Sequence, residues 1–224
     1  MIPNILSIVN EKGGSGKSTL AINLAMYQSI INKQDITIVD TDPQKSIATF
    51  QLIRNEENLP RAFKYIYKQG EDLKTYLSSK ENKNLIIDTG GRDAKEMRIA
   101  LINSDIVVIP TTPSQFDLSV LDIMIDRVKM AKEINEKLQV IIVINRVNPN
   151  PFLTKKIDDI KTYIKELECD YIKLADTIIY ERERYKNSIS NGQSVIEADT
   201  QNKAYQEIQN LSLEIFKWKD IDVV

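Results

Sequence analysis

The chain has no histidine and a single cysteine, Cys169, among its 224 residues. Without histidine it cannot assemble a Ser/His/Asp or Cys/His triad, nor the common imidazole zinc sites. A lone cysteine excludes an internal disulfide framework and any thiolate cluster built within one chain. Enzymes that depend on a histidine triad and proteins that hold a thiolate cluster within one chain are therefore excluded before any motif is considered.

Long apolar runs and a strong net charge are also missing. No stretch approaches the roughly 18 apolar residues that a membrane span requires, and the N-terminus does not show the pattern of a secretion signal. We therefore expect a soluble, cytoplasmic protein. The formal charge of −2 gives no global attraction to nucleic acid, so DNA binding would need a local basic patch.

Short apolar runs rich in Ile and Val recur along the chain, and helix-length amphipathic segments separate them. The runs cover residues 5–9, 36–39, 85–87, 106–109 and 140–144. Continuous apolar runs suit strands that are buried on both faces. The alternation predicts an α/β fold: one domain over residues 1–224, with a mostly parallel sheet and helices on both faces.

Four further elements have weaker patterns. We expect strands at 63–67 and somewhere within 171–180, and helices at 151–168 and 202–218. In a parallel α/β sheet, ligands bind beyond the carboxyl ends of the strands, so functional residues are sought there.

A glycine-rich loop directly follows the first apolar run. Glycines permit backbone angles that let consecutive N–H groups turn inward around phosphate oxygens. Lys17 can then reach the β- and γ-phosphates, and the Ser18 hydroxyl can ligate Mg²⁺. The predicted nucleotide-binding residues of this loop are Lys12, Gly13, Gly14, Ser15, Gly16, Lys17, Ser18 and Thr19. The sequence thus predicts a site for ATP and Mg²⁺.

One position departs from the usual phosphate-loop pattern, because Glu11 occupies the place of the first glycine. With Lys12 just before the glycines, the loop resembles the deviant Walker A motif of the ParA/MinD superfamily of ATPases. The resemblance implies a homodimer that sandwiches two nucleotides. Lys12 would then act catalytically on the phosphates of the partner subunit, much as an arginine finger does.

The second apolar run ends in two aspartates, Asp40 and Asp42, within Asp40-Thr-Asp42-Pro-Gln44. By resemblance to the same family, Asp42 would be catalytic and position the attacking water, while Asp40 would lie near the magnesium shell. Asp42-Pro43 also has the form of a simple turn, which is the alternative interpretation.

Asp88 ends the third run and precedes Thr89-Gly90-Gly91, as in a Walker B strand. Its carboxylate is our predicted magnesium partner, and the glycine loop is the predicted γ-phosphate switch. A helix-capping aspartate is the alternative. Asn145 and Arg146 resemble the family's adenine-side strand end and are predicted to bind nucleotide, although asparagine is also a common turn residue.

From Lys12 to the last helix the sequence is most similar to small plasmid-type ParA partition ATPases, which lack an N-terminal helix-turn-helix extension. The similarity includes 180–197, with an arginine-containing segment and a Gly-x-x-Val turn. Arg182, Arg184 and Lys186 are candidate contacts for the phosphates of nonspecific DNA. Because Glu181 and Glu183 interleave with them, a salt-bridged surface is the alternative.

The resemblance implies a DNA-segregation ATPase: a slow enzyme, associated with the nucleoid and stimulated by a ParB-like or ribbon-helix-helix centromere-binding partner. A MinD-like membrane-positioning or other cargo-positioning ATPase is the alternative. Its lipid-binding helix would have to be the tail 216–224, which carries two lysines and two acids, so no membrane partner is expected. Iron–sulfur relatives bridge a cluster with paired cysteines, which this chain lacks, and biosynthetic ligases with the same fold stay open.

Overall fold

The computed structural model describes residues 4–79, 81–91, 95–148 and 154–217. Its strands are β1 (Ile5–Ile8), β2 (Thr37–Asp40), β3 (Lys64–Tyr67), β4 (Leu85–Asp88), β5 (Ile106–Thr111), β6 (Gln139–Ile144) and β7 (Ile172–Leu174). Its helices are α1 (Lys17–Ile30), α2 (Ser46–Glu56), α3 (Gly70–Ser78), α4 (Lys95–Asn103), α5 (Gln115–Lys132), α6 (Thr154–Glu166), α7 (Glu183–Ser190) and α8 (Lys203–Lys217), with a 3-10 turn at Val195–Glu197.

The strands form one parallel sheet in the order β3-β2-β4-β1-β5-β6-β7. The predicted α/β fold with a parallel sheet is confirmed. Each parallel connection runs through a helix, which returns the chain to the same end of the sheet. None of the helices within the described ranges is long and apolar enough to cross a membrane.

Both faces of the sheet are buried, as the continuous apolar runs predict. Leu6 and Ile8 belong to one apolar cluster, whereas Ile5 and Val9 belong to the other, because neighbouring strand residues point to opposite faces. Helices α1, α2, α7 and α8 cover the first face, and α3 to α6 cover the second. Burying each such Ile or Leu side chain stabilises the fold by about 1.5–3 kcal/mol.

The structure contains all four elements that had weaker patterns. The strand expected at 63–67 is β3 and the one expected within 171–180 is β7, and they form the two edges of the sheet. The helix expected at 151–168 is described from 154, because 151–153 lie outside the described residues, and it ends at Glu166, two residues earlier than expected, with Glu168 at a φ of +47°. The helix expected at 202–218 is described from 203 to 217, and the rest of the tail, 218–224, also lies outside them.

Strand register positions the candidate site. Ile8 pairs with Asp88, and Asp88 pairs in turn with Asp40, so β1, β4 and β2 end level with one another. The segments that follow these strands therefore meet at one edge of the sheet. They are the glycine-rich loop, the Thr89–Gly91 segment and the Asp42 turn.

Candidate nucleotide-binding site

The glycine-rich loop has a backbone that only glycine accepts without strain at two positions. Gly14 and Gly16 have φ angles of +73° and +93°, in the left-handed region. Gly16 is also the N-cap of α1, and a Cβ atom built there would lie 2.4 Å from Nδ2 of Asn145. The loop therefore leads into a helix N-terminus, whose partial positive charge favours anions.

Lys17 begins α1 and is buried, with 6% of the residue exposed. Its ammonium group donates a hydrogen bond to the backbone carbonyl of Lys12 over 3.1 Å. Burial lowers the pKa of Lys17, while the charges of Asp88 and Asp42 act in the opposite direction. A cation held among loop backbone and two carboxylates is placed to bind a polyphosphate.

Asp88 ends β4 and is completely buried. Neither carboxylate oxygen completes a hydrogen bond of good geometry with a described residue, although the Ser18 hydroxyl lies near enough to favour the charged form. Burial raises the pKa of Asp88 to about 7, and Asp40 adds repulsion that Lys17 partly offsets. Buried polar atoms normally have hydrogen-bond partners. The Asp88 carboxylate is therefore placed to bind a ligand from outside the chain.

Asp40 ends β2 beside Asp88 and is also fully buried. One of its oxygens accepts the N–H of Asp42 at 2.9 Å, and the other lies 3.4 Å from the hydroxyl of Tyr65. Burial raises the pKa of Asp40 to about 6, partly countered by the hydrogen bond from Asp42. Sequence reasoning missed Tyr65, because nothing along the chain relates an edge-strand tyrosine to this carboxylate.

These residues fit a hydrated magnesium ion. Within the described ranges no group of three or more His, Cys, Asp or Glu side chains could hold a metal by itself. Mg²⁺ is typically bound by few protein groups together with water and substrate phosphates. The Ser18 hydroxyl and the unpartnered Asp88 carboxylate would hold it here, with Asp40 behind them. When bound, the ion neutralises charge on the phosphate oxygens.

Asp42 lies in a turn, as the alternative interpretation of Asp42-Pro43 expects. Its carbonyl accepts the N–H of Lys45 at 2.9 Å, and its carboxylate accepts the N–H of Gln44 at 2.9 Å. The turn leaves the Asp42 carboxylate half-exposed beside the phosphate loop. Turn and function are compatible, because the turn aims this carboxylate into the cleft.

The segment after β4 touches both neighbouring loops. The Thr89 hydroxyl donates to the carbonyl of Ile8 at 2.9 Å. A Cβ atom on Gly91 would lie 3.2 Å from the backbone nitrogen of Gly13, and one on Gly90 would lie 3.6 Å from Cγ of Asp42. Any movement of the phosphate loop or of Asp42 would therefore change the contacts of the Thr89–Gly91 segment.

Two supports of the phosphate loop were missed by sequence reasoning. The amide of Asn10 donates to the carbonyl of Pro110 at 2.7 Å, and its oxygen accepts the N–H of Lys12 at 2.7 Å. Glu11, at the position of the usual first glycine, forms an ion pair with Arg127 of α5. Pro110 and Arg127 lie 100 or more residues away along the chain, so no local pattern points to them. They fix the backbone from which Lys12 projects.

Asn145 and Arg146 hold the other side of the phosphate loop. Asn145 is buried and donates to the carbonyl of Ser15 at 2.7 Å, and Arg146 donates to the carbonyl of Gly14. Both residues line the same cleft, of about 1160 Å³, as Gly13, Lys17 and Asp42. The predicted contact with adenine stays a prediction.

The three predicted DNA contacts have different surroundings. Arg182 donates to Glu207 at 2.8 Å, with its guanidinium 5.3 Å from the ring centre of Tyr180. Lys186 pairs with Glu183 at 3.1 Å, whereas Arg184 is exposed. Arg182 and Lys186 are therefore salt-bridged in this structure, as the alternative interpretation expects. DNA contact by all three residues stays a prediction.

Comparisons with known proteins agree with this site. A family model described as the CobQ/CobB/MinD/ParA nucleotide binding domain (CbiA) matches residues 6–195. The maintenance of carboxysome distribution protein A of Halothiobacillus neapolitanus is 24% identical over 217 residues, covering 94% of this chain and 95% of that protein.

Solved structures share the whole fold. A Borrelia burgdorferi protein assigned to plasmid partition, bound to AMPPNP, superposes with a TM-score of 0.72 at 24% identity, covering 97% of this chain and 99% of that one. Apo McdA of Cyanothece gives a TM-score of 0.72 at 18% identity, covering 94% and 99%. The similarity to these structures confirms the expected fold class.

Proposed function

Because the chain belongs to the CobQ/CobB/MinD/ParA family of nucleotide-binding domains, we propose that it is an ATP-switched DNA-segregation ATPase. It is a ParA/MinD-type ATPase, and ATP with Mg²⁺ is its cofactor pair. In the proposed cycle two subunits close around two ATP molecules, and the dimer binds DNA without sequence preference. A ParB-like or ribbon-helix-helix centromere-binding partner then stimulates slow hydrolysis and releases it.

The residues of the site have distinct roles in this cycle. Lys17 and the loop N–H groups bind the phosphates, while Ser18, Asp88 and Asp40 form the magnesium shell. Asp42, half-exposed at the cleft, orients the attacking water for in-line attack. Lys12 projects from a loop braced by Asn10 and acts on the phosphates of the partner subunit. Hydrolysis consequently requires a dimer.

One observation carries the link from nucleotide to DNA. The cleft that contains the phosphate loop and Asp42 is also lined by Arg182 and Lys186 of the basic segment. A ligand that fills this cleft would contact residues of both sites. That continuity supports DNA binding that depends on nucleotide.

The test is binding of a labelled random-sequence duplex by the full chain with no nucleotide, ADP, ATP or a nonhydrolysable ATP analogue. Each condition is measured at two salt concentrations, with light scattering for the oligomeric state. Binding and dimerisation that appear together only with ATP or the analogue, and that weaken with salt, support the proposal. An ATP-dependent dimer without salt-sensitive DNA binding refutes the DNA-segregation function.

Positioning of a protein cargo is the second candidate. The observation that favours it is the similarity over nearly the full chain to a protein that maintains carboxysome distribution. Such an ATPase can use the same nucleotide switch, so the nucleotide site does not separate the two. Pull-down of a cargo adaptor by the ATP-bound dimer, without any effect of centromere DNA on hydrolysis, would favour this candidate. A MinD-like membrane function would instead require ATP-dependent liposome binding that is lost when the tail 216–224 is removed.

A further inference from the structure

Arg146 joins the phosphate loop to the segment that carries the basic residues. One of its nitrogens, Nη1, donates to the carbonyl of Gly14, and Nη2 donates to Oε1 of Glu181 over 3.3 Å. The same carboxylate oxygen lies 3.5 Å from Nζ of Lys186. The hydrogen bond from Arg146 holds the pKa of Glu181 below its usual range. One carboxylate thus connects an arginine on the loop to a predicted DNA-contact lysine.

The backbone holds Arg146 and Glu181 side by side. The N–H of Val147 donates to the carbonyl of Ile179 at 3.1 Å, and the N–H of Glu181 donates to the carbonyl of Val147 at 2.9 Å. Arg146 itself has a φ angle of +54°, which is uncommon for a residue with a side chain. Backbone strain of this kind persists where the surroundings impose it and is concentrated at functional sites.

A bound phosphate would act on the Gly14 end of this link. Gly14 has a φ angle of +73°, and as a glycine it can reorient its peptide group at little cost. Phosphate binding fixes the direction of the loop N–H groups, and the Gly14 carbonyl belongs to the same peptide unit as the N–H of Ser15. A phosphate in the cleft also attracts the guanidinium directly. Occupancy of the loop would therefore change which groups Arg146 can bind.

We propose that Arg146 is a positioning residue that transmits the occupancy of the phosphate loop to residues 180–190 through Glu181. When the contact between Arg146 and the loop changes, the contact between Arg146 and Glu181 changes with it. The contact between Glu181 and Lys186 then changes as well. An exposed ion pair contributes little to stability, but a contact that differs between two states supplies coupling between sites. The DNA-related role of 180–190 rests on the proposed function, whereas the link itself does not depend on the cargo.

The test is hydrogen–deuterium exchange of the full chain with and without a nonhydrolysable ATP analogue at saturation, which calorimetry verifies for each variant. In the wild type the analogue changes exchange of the amides in 180–190. In Arg146→Ala and in Glu181→Gln that change shrinks by at least about threefold. The double variant loses no more than either single one, because both act through one contact. Lys64→Ala, which breaks the exposed 2.7 Å pair with Asp35 away from the cleft, is the matched control and keeps the full response.

A full response of 180–190 in saturated Arg146→Ala would overturn the inference, as would additive losses in the double variant or no response in the wild type. DNA binding of the wild type separates this result from the proposed function. A wild type that shows the Arg146-dependent response but binds no DNA refutes only the DNA-segregation function. ATP-dependent DNA binding with an unchanged response in Arg146→Ala refutes only the link.

Discussion

Asp40 and Asp88 are direct neighbours in the sheet, paired in register at the carboxyl ends of β2 and β4. Both are completely buried, and burial raises the pKa of Asp40 to about 6 and that of Asp88 to about 7. Two adjacent carboxylates disfavour each other's charged form. The nucleotide-free fold is therefore destabilised at this edge, and a bound cation would relieve the repulsion.

Asp88→Asn is expected to stabilise the nucleotide-free protein above neutral pH. The folded pKa of Asp88, about 7, is above the ordinary value of 3.8, so its contribution to stability is full below pH 4 and is lost as pH rises through 7. Removing the charge should raise the free energy of unfolding at pH 8 by about 1–3 kcal/mol. Chemical denaturation at pH 5 and pH 8 measures it.

Asp88→Asn should also lose the additional stability that Mg²⁺ gives to the ATP-bound protein, because the carboxylate that faces the ion is gone. Asp159→Asn, at an exposed position of α6, is the control. It should change neither the stability at pH 8 nor the effect of Mg²⁺. An Asp88→Asn variant that is less stable than the wild type at pH 8 would contradict the conclusion that burial and Asp40 make the charged form of Asp88 unfavourable.

Lys17→Ala should abolish measurable nucleotide binding. The buried ammonium is hydrogen-bonded to the loop backbone, and replacing it removes charge-assisted hydrogen bonds to the phosphates. A loss of at least about 100-fold in affinity follows from two such bonds. Calorimetry with ATP and Mg²⁺ measures it, with Lys156→Ala on the exposed face of α6 as control. Equal affinities of wild type and Lys17→Ala would refute the role.

Asp42→Ala should keep nucleotide binding and accumulate the ATP-bound dimer. Its carboxylate is half-exposed at the cleft and caps its own turn through Gln44, so the fold tolerates its loss better than that of a buried aspartate. Hydrolysis should fall by about 100-fold or more, the contribution typical of a group that handles the attacking water's proton. Phosphate release and light scattering measure the two effects, and normal hydrolysis would show that Asp42 is only a turn residue.

Gly16→Ala should destabilise the protein, whereas Gly13→Ala should not. Gly16 has φ of +93°, and its added methyl would lie 2.4 Å from the Asn145 amide, while a methyl on Gly13 meets nothing within 4 Å. The left-handed angle alone costs about 1–2 kcal/mol. Thermal denaturation of the two variants compares them. Equal stability would mean that the loop around Gly16 relaxes freely.

Local sequence patterns were enough to select the candidate residues at the strand ends, because each signal lies within one short segment. The glycines and lysine of residues 12–19 are one continuous string, and Asp40 and Asp88 directly follow apolar runs. Their pairing across β2 and β4 depends on strand order, which the alternation of strands and helices does not specify. The functional roles of these residues stay predictions until they are measured.

Long-range polar partners could not be predicted from the sequence. Arg127 meets Glu11 and Glu207 meets Arg182 across the fold, and each glutamate or arginine alone has the pattern of an ordinary surface residue. Arg146 was predicted to bind nucleotide by resemblance, and its contacts with Gly14 and Glu181 had no signal in the sequence. Such contacts follow from tertiary packing. Edge strands β3 and β7 were weakly predicted for a related reason, since they are less buried and their apolar pattern is short.

The central claim, a nucleotide-sandwich dimer in which Lys12 acts on the partner's phosphates, is tested most directly by mixing two inactive variants. Lys12→Ala and Asp42→Ala are combined before ATP is added, and phosphate release is followed. In a mixed dimer, the site with intact Asp42 receives Lys12 from the other subunit. Half of the dimers in an equal mixture are mixed and each has one complete site, so hydrolysis should return to roughly a quarter of the wild-type rate. A mixture as inactive as its two components would contradict action of Lys12 across the dimer.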